Sequence, residues 1–494
     1  MKPTNSSKRL TNSGGPRPAA GRPLQSETQL ATGNNVATLD SFGTSDKPAV
    51  GQRPAGGIRI EDLLANGQGV GRVNGMVAFV SGALPGEHVD VEIDRVKANY
   101  LSARTADIRQ PSPDRVASVC PVFPACGGCQ TLHLRYDAQL RWKRDMVVEA
   151  LARIAGLRDV AVEAARPSPL IDGARYRNKV TLVARSGRRG AEIGFYAARS
   201  HHVVGIQECP VLLPHLNQAV RSLAEFVRGK PALLANVQHI IIREGANIEG
   251  TVICFTTARA QRDLPSFVEA LRAHIPGLTG IVNSYDVAGE NAVFGRRFST
   301  LWGSPYVRDA VLGATFSFGI ASFFQINTAV LELIGAHCRE SLEGARRVVD
   351  VYSGVGTFAV LLGQRGISGS GVESAKSSVD EAAANAASNG VTSFSFECAP
   401  AAEALSGERG RSLLSGADAV MLDPPRRGCD VEVLAGLTGA RVPRVHYLSC
   451  DPATLARDAK VLSNNGYVLS RVIPFDMFPH TGHVEALAEF RLDG

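Results

Sequence analysis

The sequence predicts an α/β protein: a C-terminal Rossmann-like, doubly wound domain, preceded by an OB-like β-barrel and a central α+β domain. Three observations carry this expectation. From about residue 345 apolar strands alternate with helical stretches of roughly 10 to 15 residues, the pattern of parallel βαβ units. From residue 58 to 110 short apolar runs of period two are broken by Gly and Pro, with turn signals about every eight residues, as in a small antiparallel barrel. Between these zones strand-like and helix-like patterns mix. The expected divisions are a tail at 1–56, the barrel at 57–112, the central domain at 113–315 and the C-terminal domain at 316–494.

The first zone is rich in Gly, Pro, Ser, Thr and Asn and has almost no apolar periodicity, so it cannot bury enough surface to offset chain entropy and reads as a disordered tail. It lacks the apolar core of a secretory signal; being Arg-containing and poor in acids, it leaves a transit peptide open, and a cytoplasmic location is expected. The rest, with 44% hydrophobic and 20% charged residues overall, describes a globular chain, and no apolar run is long enough to cross a bilayer. The formal charge of +6 is mostly the tail's. There seven basic residues (Lys2, Lys8, Arg9, Arg17, Arg22, Lys47, Arg53) face only Glu27, Asp40 and Asp46, which accounts for +4. Any phosphate-binding surface on the folded part must therefore be a local patch.

Within the barrel zone the apolar runs are 58–60, 69–73 and 76–80, followed by an alternating stretch at 87–93. Arg72, Arg95, Lys97 and Arg104 make it a candidate nucleic-acid-binding module, or a barrel that only packs on its neighbour. The central zone has strand-like stretches at 179–184, 240–243 and 251–256 and helical ones at 140–154 and 216–227. In the C-terminal zone a strand at 348–352 meets a glycine turn at 354–356 and a helix from 357; a second strand ends at Glu373. Further strands are expected at 419–422 and 445–448, with a terminal antiparallel pair at 467–472 and 484–490. There is no internal repeat.

Asp350-Val351-Tyr352-Ser353-Gly354-Val355-Gly356-Thr357 puts glycines where a strand becomes a helix, so a ligand can approach the backbone at the carboxyl edge of the sheet. Glu373 closes the second strand, where a carboxylate can accept both ribose hydroxyls of an adenosine. A glycine turn alone fits any nucleotide cofactor. The fourth strand narrows the choice: Leu422-Asp423-Pro424-Pro425-Arg426, an acid and paired prolines at a strand end, resembles the substrate-facing motif of methyltransferases acting on nitrogen or carbon of planar bases. S-adenosylmethionine is the expected cofactor.

Uracil C5 is too weak a nucleophile to accept a methyl group directly; a thiolate must first add at C6 to place carbanion character on C5. Cys450, in Tyr447-Leu448-Ser449-Cys450-Asp451-Pro452, follows an apolar strand and precedes a helix, and a helix N-terminus favours thiolate. The C5 proton must then leave to a carboxylate. Glu485, in His480-Thr481-Gly482-His483-Val484-Glu485, is the candidate base. His480 and His483 have no third metal ligand at suitable spacing and are expected in loop or RNA contacts.

Together these residues resemble the RNA 5-methyluridine methyltransferase family, over about residues 57–494. The resemblance implies an N-terminal TRAM barrel, Cys450 as nucleophile and Glu485 as proton acceptor. Phe323-Phe324-Gln325-Ile326-Asn327 is similar to the family's Phe-x-Gln-x-Asn segment, which implies that Gln325 contacts the cofactor with Tyr352, Thr357, Glu373 and Asp423. Two positions depart from the family pattern. Thr357 and Asp451 stand where Asn is usual, and Asp451 puts a negative charge beside Cys450, which by itself raises a thiol pKa.

Cys120, Cys126 and Cys129 lie within ten residues, and Cys209 follows at Glu208-Cys209-Pro210. Such crowding points to metal or redox chemistry, and four thiolates suit zinc or a [4Fe-4S] cluster alike. The family resemblance implies the [4Fe-4S] cluster, closest to the 23S ribosomal RNA members, in a structural and RNA-positioning role. Cys254, Cys338, Cys398 and Cys429 read as packing residues. Arg175-Tyr176-Arg177-Asn178-Lys179 and the basic stretch 185–189 could bind phosphates and stack a displaced base, or be a solvated strand edge. RNA is the expected partner, 23S rRNA before tRNA, with no membrane, no obligate protein partner and a monomeric state. Two rivals stand beside this reading: a 5-methylcytidine enzyme, which usually carries a proline-cysteine nucleophile loop and a second cysteine, and a non-catalytic RNA-binding iron-sulfur protein.

Overall fold

In the computed structural model the described residues are 48–493, apart from 171–172, 188–189, 229–233, 235, 261–264 and 290–291. The expected tail up to residue 47, and Arg188 and Arg189 of the basic stretch, lie outside them.

Five strands, Ile58–Leu63, Gln68–Val73, Met76–Ser81, His88–Val96 and Tyr100–Gln110, close into a barrel. Alternate residues point inward, and Ile60, Val80, Val91, Ile93 and Leu101 form its core. Asn74 and Gly75, both at positive φ (48° and 81°), make the tight hairpin between the second and third strands. Closure brings backbones so near at Gly71 that a β-carbon there would lie 2.6 Å from the carbonyl oxygen of Arg59. The barrel's basic residues are less free than expected. Arg104 pairs with Glu92 and Asp94, Arg53 with Glu92 and Arg109 with Asp90, while Arg72 donates to the carbonyl of Gly75 at 3.1 Å. Arg95 and Lys97 are exposed.

Helix Tyr136–Ala150 follows, prolonged by a wider turn at Leu151–Ala155 and ended by Gly156 at φ +77°. Its Trp142 Nε1 donates to the carbonyl of Leu63 at 3.0 Å, which ties it to the barrel. The central sheet has seven strands in the order Arg297–Gly303, Leu278–Tyr285, Thr251–Thr257, Val237–Glu244, Lys179–Gly187, Gly190–Tyr196 and Val203–Gly205. Helices Pro214–Arg228 and Pro265–His274 bury one face over Leu182, Ile240, Ile253 and Phe255. The other face gives Ile241, Val252, Cys254 and Val282 to a core shared with hairpin Tyr306–Val311 and Ala314–Gly319 and with the C-terminal sheet. That hairpin runs across position 315/316.

The C-terminal sheet has the order Phe394–Cys398, Ser368–Glu373, Arg347–Val351, Ala419–Leu422, Arg444–Ser449, Glu485–Leu492 and Tyr467–Phe475. The first five are parallel, and Glu485–Leu492 runs antiparallel to both of its neighbours. Val348, Val349, Val351 and all four residues of Ala419–Leu422 are buried, as a sheet covered on both faces requires. Neither the edge strand Phe394–Cys398 nor the short helices Ala401–Ala404 and Gly407–Leu414 were among the expected elements. Among the described residues no helix is long and apolar enough to cross a membrane.

Candidate active site

Parallel strands all end on one edge of the sheet, and the turns that leave them bring the chemistry-bearing residues together there. After Arg347–Val351 the chain turns sharply, with Tyr352, Gly354 and Gly356 at φ +67°, +53° and +82°. A β-carbon added at Gly354 would meet nothing within 4 Å, so this backbone faces open space. Gly354 N donates to Glu373 Oε2 at 3.2 Å, and Glu373 Oε1 accepts from Ala375 N at 2.8 Å, which locks the carboxylate between the glycine turn and the next helix. Thr357 is the first residue of helix Thr357–Gly363 and half-buried.

Asp350 belongs to this site as well, although it was not among the expected site residues. Its Oδ2 accepts from Ala359 N at 3.2 Å, whereas Oδ1 is buried without a hydrogen-bond partner. Burial, then the neighbouring Asp423, pushes its carboxyl up to about 7. Asp423 is likewise pushed up to about 7 by burial, opposed by a hydrogen bond with Gln325. Glu485, 2% exposed, is raised well above the usual carboxylate range by burial and by Asp423, opposed by Arg426. Asp423 thus acts on both Asp350 and Glu485, and an acidic neighbourhood of this kind favours a cationic ligand.

The segment bearing Gln325 is set by the central sheet. Asn178 Nδ2 donates to Gln325 O at 3.0 Å, and buried Arg243 donates to Ser322 O at 2.6 Å and Phe324 O at 3.1 Å. Phe324 stacks on Phe318 at 4.2 Å, and Asn327 Oδ1 caps helix Thr328–Ser341 through Val330 N at 3.3 Å. Arg243 gave no sequence signal, because a charged residue in a strand reads as surface.

Cys450 lies between strand Arg444–Ser449 and helix Pro452–Asn464. Burial first, then Glu485 and Asp423, push its thiol up to about 12 against the opposing charge of Arg426. Burial and two carboxyls thus oppose the thiolate that the N-terminus of helix Pro452–Asn464 is expected to favour, and Arg426 supports it. Asp451 contributes least of these neighbours. Its carboxylate is occupied as the helix cap, accepting from Ala453 N at 2.9 Å and Thr454 N at 3.0 Å. Thr454 Oγ1 donates to Arg426 O at 3.2 Å, and Tyr447 and Cys429 N both donate to Asp458 Oδ2, at 2.7 and 2.9 Å. These bonds stitch the Pro424-Pro425-Arg426 loop to the helix that follows Cys450.

The reading of 175–179 as a stretch that stacks a displaced base is corrected at Tyr176 and Asn178. Tyr176 is 1% exposed and donates to Pro479 O at 3.2 Å, so it cannot stack a base; Asn178 is buried and holds the Gln325 segment. His480 is buried as well, bracketed by Gln139; His483 is exposed.

Far from Cys450 in sequence, Cys120, Cys126, Cys129 and Cys209 line one cavity of about 240 Å³ with Val122, Phe123 and Arg177. All four thiols are free and half-buried. Burial, then its neighbouring thiols, raises Cys129; burial pushes Cys209 up to about 11. Among the described residues no three His, Cys, Asp or Glu side chains are grouped as a site for a metal ion. Cys254, Cys338 and Cys429 are buried, but Cys398 is exposed at the end of an edge strand and is not a packing residue.

Comparison with known proteins gives a consistent picture. Residues 310–488 match the family described as tRNA (Uracil-5-)-methyltransferase, and residues 57–106 match the TRAM domain. An uncharacterized RNA methyltransferase of Halalkalibacterium halodurans is 33% identical over 88% of this chain and 96% of its own. Another from Thermosynechococcus vestitus is 36% identical over 87% of this chain and 96% of its own. The crystal structure of Pyrococcus abyssi tRNA (uracil-54, C5)-methyltransferase with S-adenosyl-L-homocysteine superposes with a TM-score of 0.68 at 28% identity, covering 89% of this chain and all of that one.

Proposed function

Because this chain belongs to the RNA uracil-5-methyltransferase family and carries its TRAM domain, we propose that it methylates a uridine of RNA at C5 from S-adenosylmethionine, through a covalent Cys450–C6 adduct. The observation that carries this reading is the meeting of Cys450, Glu485, Asp423 and Arg426 at one edge of the sheet, where both carboxyls and the guanidinium act on the thiol. Bound there, S-adenosylmethionine supplies an electrophilic methyl group on a sulfonium. Gly354, Glu373, Gln325 and Tyr352 would hold it, with Thr357 beside them, and the clustered carboxyls of Asp350 and Asp423 suit its positive charge. Cys450, as the thiolate that Arg426 favours, would add to C6 of uracil, C5 would take the methyl group with S-adenosylhomocysteine leaving, and Glu485, as carboxylate, would receive the C5 proton as the thiolate departs. Trapping with 5-fluorouridine RNA tests this. The parent protein should form a denaturation-stable adduct and Cys450→Ala none; an adduct that survives Cys450→Ala would overturn the nucleophile.

We take 23S ribosomal RNA as the substrate, supported by the barrel together with the four cysteines. Transfer RNA is the second reading, favoured by the family description and by the Pyrococcus abyssi enzyme. Mapping 5-methyluridine in both RNAs from a deletion strain decides between them. The four cysteines that line a common cavity are the ligands that the family resemblance implies for a [4Fe-4S] cluster. A single zinc ion would instead need all four sulfurs at about 2.3 Å from one centre. Anaerobically purified protein should contain iron and acid-labile sulfide, both lost in Cys129→Ser; zinc without sulfide would overturn the cluster.

A further inference from the structure

Residues 476–483 carry the chain from strand Tyr467–Phe475 into strand Glu485–Leu492, so their conformation sets where Glu485 enters the site. Groups from outside the C-terminal sheet hold this segment at several points. Lys143, on helix Tyr136–Ala150, and Asp476 form an ion pair at 2.5 Å in which both side chains are 0% exposed. The same ammonium donates to Phe478 O at 2.9 Å. One turn earlier on that helix, buried Gln139 brackets His480. Its Nε2 lies 3.1 Å from His480 Nδ1, and its Oε1 accepts from His480 N at 3.0 Å. Gln130 N and Thr131 N, next along the chain from Cys129, both donate to His480 O, at 2.9 and 3.0 Å. On the barrel side Gly482 lies so close that a β-carbon would stand 1.6 Å from Ala65 O.

His480 adopts φ +64°, a left-handed conformation that a residue with a β-carbon keeps only where its surroundings over-determine it. A fully buried ion pair, moreover, contributes little net stability compared with an apolar pair of similar volume, whereas it fixes geometry. This clamp is therefore better suited to aiming the segment than to stabilising the fold.

We propose that Lys143 and Gln139 are positioning residues for the elimination step, acting through segment 476–483 on Glu485; the proposal rests on Glu485 being the base. In that step the C5 proton of the methylated adduct passes to the Glu485 carboxylate. The C–H electron pair forms the C5–C6 double bond, and the C6–S bond breaks with its pair returning to Cys450 as thiolate. If the clamp is lost, addition and methyl transfer continue and release slows.

The test uses the full-length protein, RNA with ordinary uridine and methyl-tritiated S-adenosylmethionine. Turnover, KM and the fraction of enzyme in a denaturation-stable, tritiated RNA adduct are measured together. The variants are Gln139→Leu, Lys143→Met and the double change Lys143→Met/Asp476→Leu, which replaces the buried pair by apolar side chains and so keeps the fold. Glu485→Gln is the control. Turnover should fall about 10- to 100-fold in the clamp variants, with KM for both substrates changed by less than about twofold and labelled adduct accumulating. The proposal is overturned if the folded double variant and Gln139→Leu turn over at the parental rate, or lose turnover without accumulating adduct. If Glu485→Gln itself accumulates none, the base assignment falls and the positioning role with it. If Glu485→Gln accumulates adduct and the clamp variants do not, only the positioning role falls.

Discussion

Asp451 looks, in the sequence, like an obstacle to the thiolate it adjoins. The structure makes it a helix cap instead, with its charge spent on two backbone N–H groups, so Arg426 and the carboxyls decide how Cys450 ionises. Asp451→Asn, an equally good cap, should change stability by less than about 0.5 kcal/mol and barely move the pH dependence of 5-fluorouridine trapping. Arg426→Gln should act differently. Arg426 lowers both the Cys450 thiol and the Glu485 carboxyl, so its loss raises both, and the rising limb of the trapping profile should move to higher pH. A limb that stayed put would remove Arg426 from the site's electrostatics. Asp350 gives a stability test. Its folded pKa, about 7, lies above the ordinary 3.8, so the ligand-free protein loses stability as pH rises through that window and carries the full penalty above it. Asp350→Asn should therefore stabilise the ligand-free protein at pH about 8, by on the order of 2 kcal/mol, and gain nothing near pH 4 in thermal melts.

Among the elements, the Gln325 segment depends on a strand more than eighty residues away. Arg243, stacked on Phe318 at 4.4 Å, donates to the carbonyls of Ser322 and Phe324. Arg243→Met keeps the length and leaves those carbonyls unpaired, at about 1–3 kcal/mol each. Binding of S-adenosylhomocysteine should weaken by about tenfold or more while RNA affinity holds. Calorimetry with both ligands checks this, and equal loss of the two would reduce Arg243 to a folding role. The strands of the C-terminal sheet were legible because burial on both faces makes them continuous apolar runs. Phe394–Cys398 was not, because as a five-residue edge strand it carries only two large apolar side chains, Phe394 and Phe396. The site residues at strand ends were legible for the same reason as the strands, since a turn after an apolar run puts them on one edge.

At the scale of the whole molecule, charge is arranged locally. Each phosphate that approaches Arg104 also meets Glu92 and Asp94, and one near Arg109 meets Asp90. Arg104→Ala should consequently change the slope of log affinity against log salt by much less than the value of about 0.9 expected for one lost phosphate contact. Filter binding across a salt series measures it, and a full-sized change would show that the ion pairs open for RNA. Lys97→Ala, at an exposed position, is the comparison.

What the sequence by itself determined was local: apolar periods, glycine turns, a cysteine and an acid at strand ends, and four cysteines crowded enough to share a purpose. These are legible because they depend on neighbours a few residues apart. Tertiary structure alone decided the charge environment of Cys450, the burial of Tyr176 and His480, and the partners of charged residues that the sequence leaves looking like surface. Lys143 and Asp476 are 333 residues apart, and Asn178 and Gln325 are 147. Desolvation and pairing across such distances exist only once the chain has closed, which is why the candidate residues could be named in advance and their electrostatic surroundings could not.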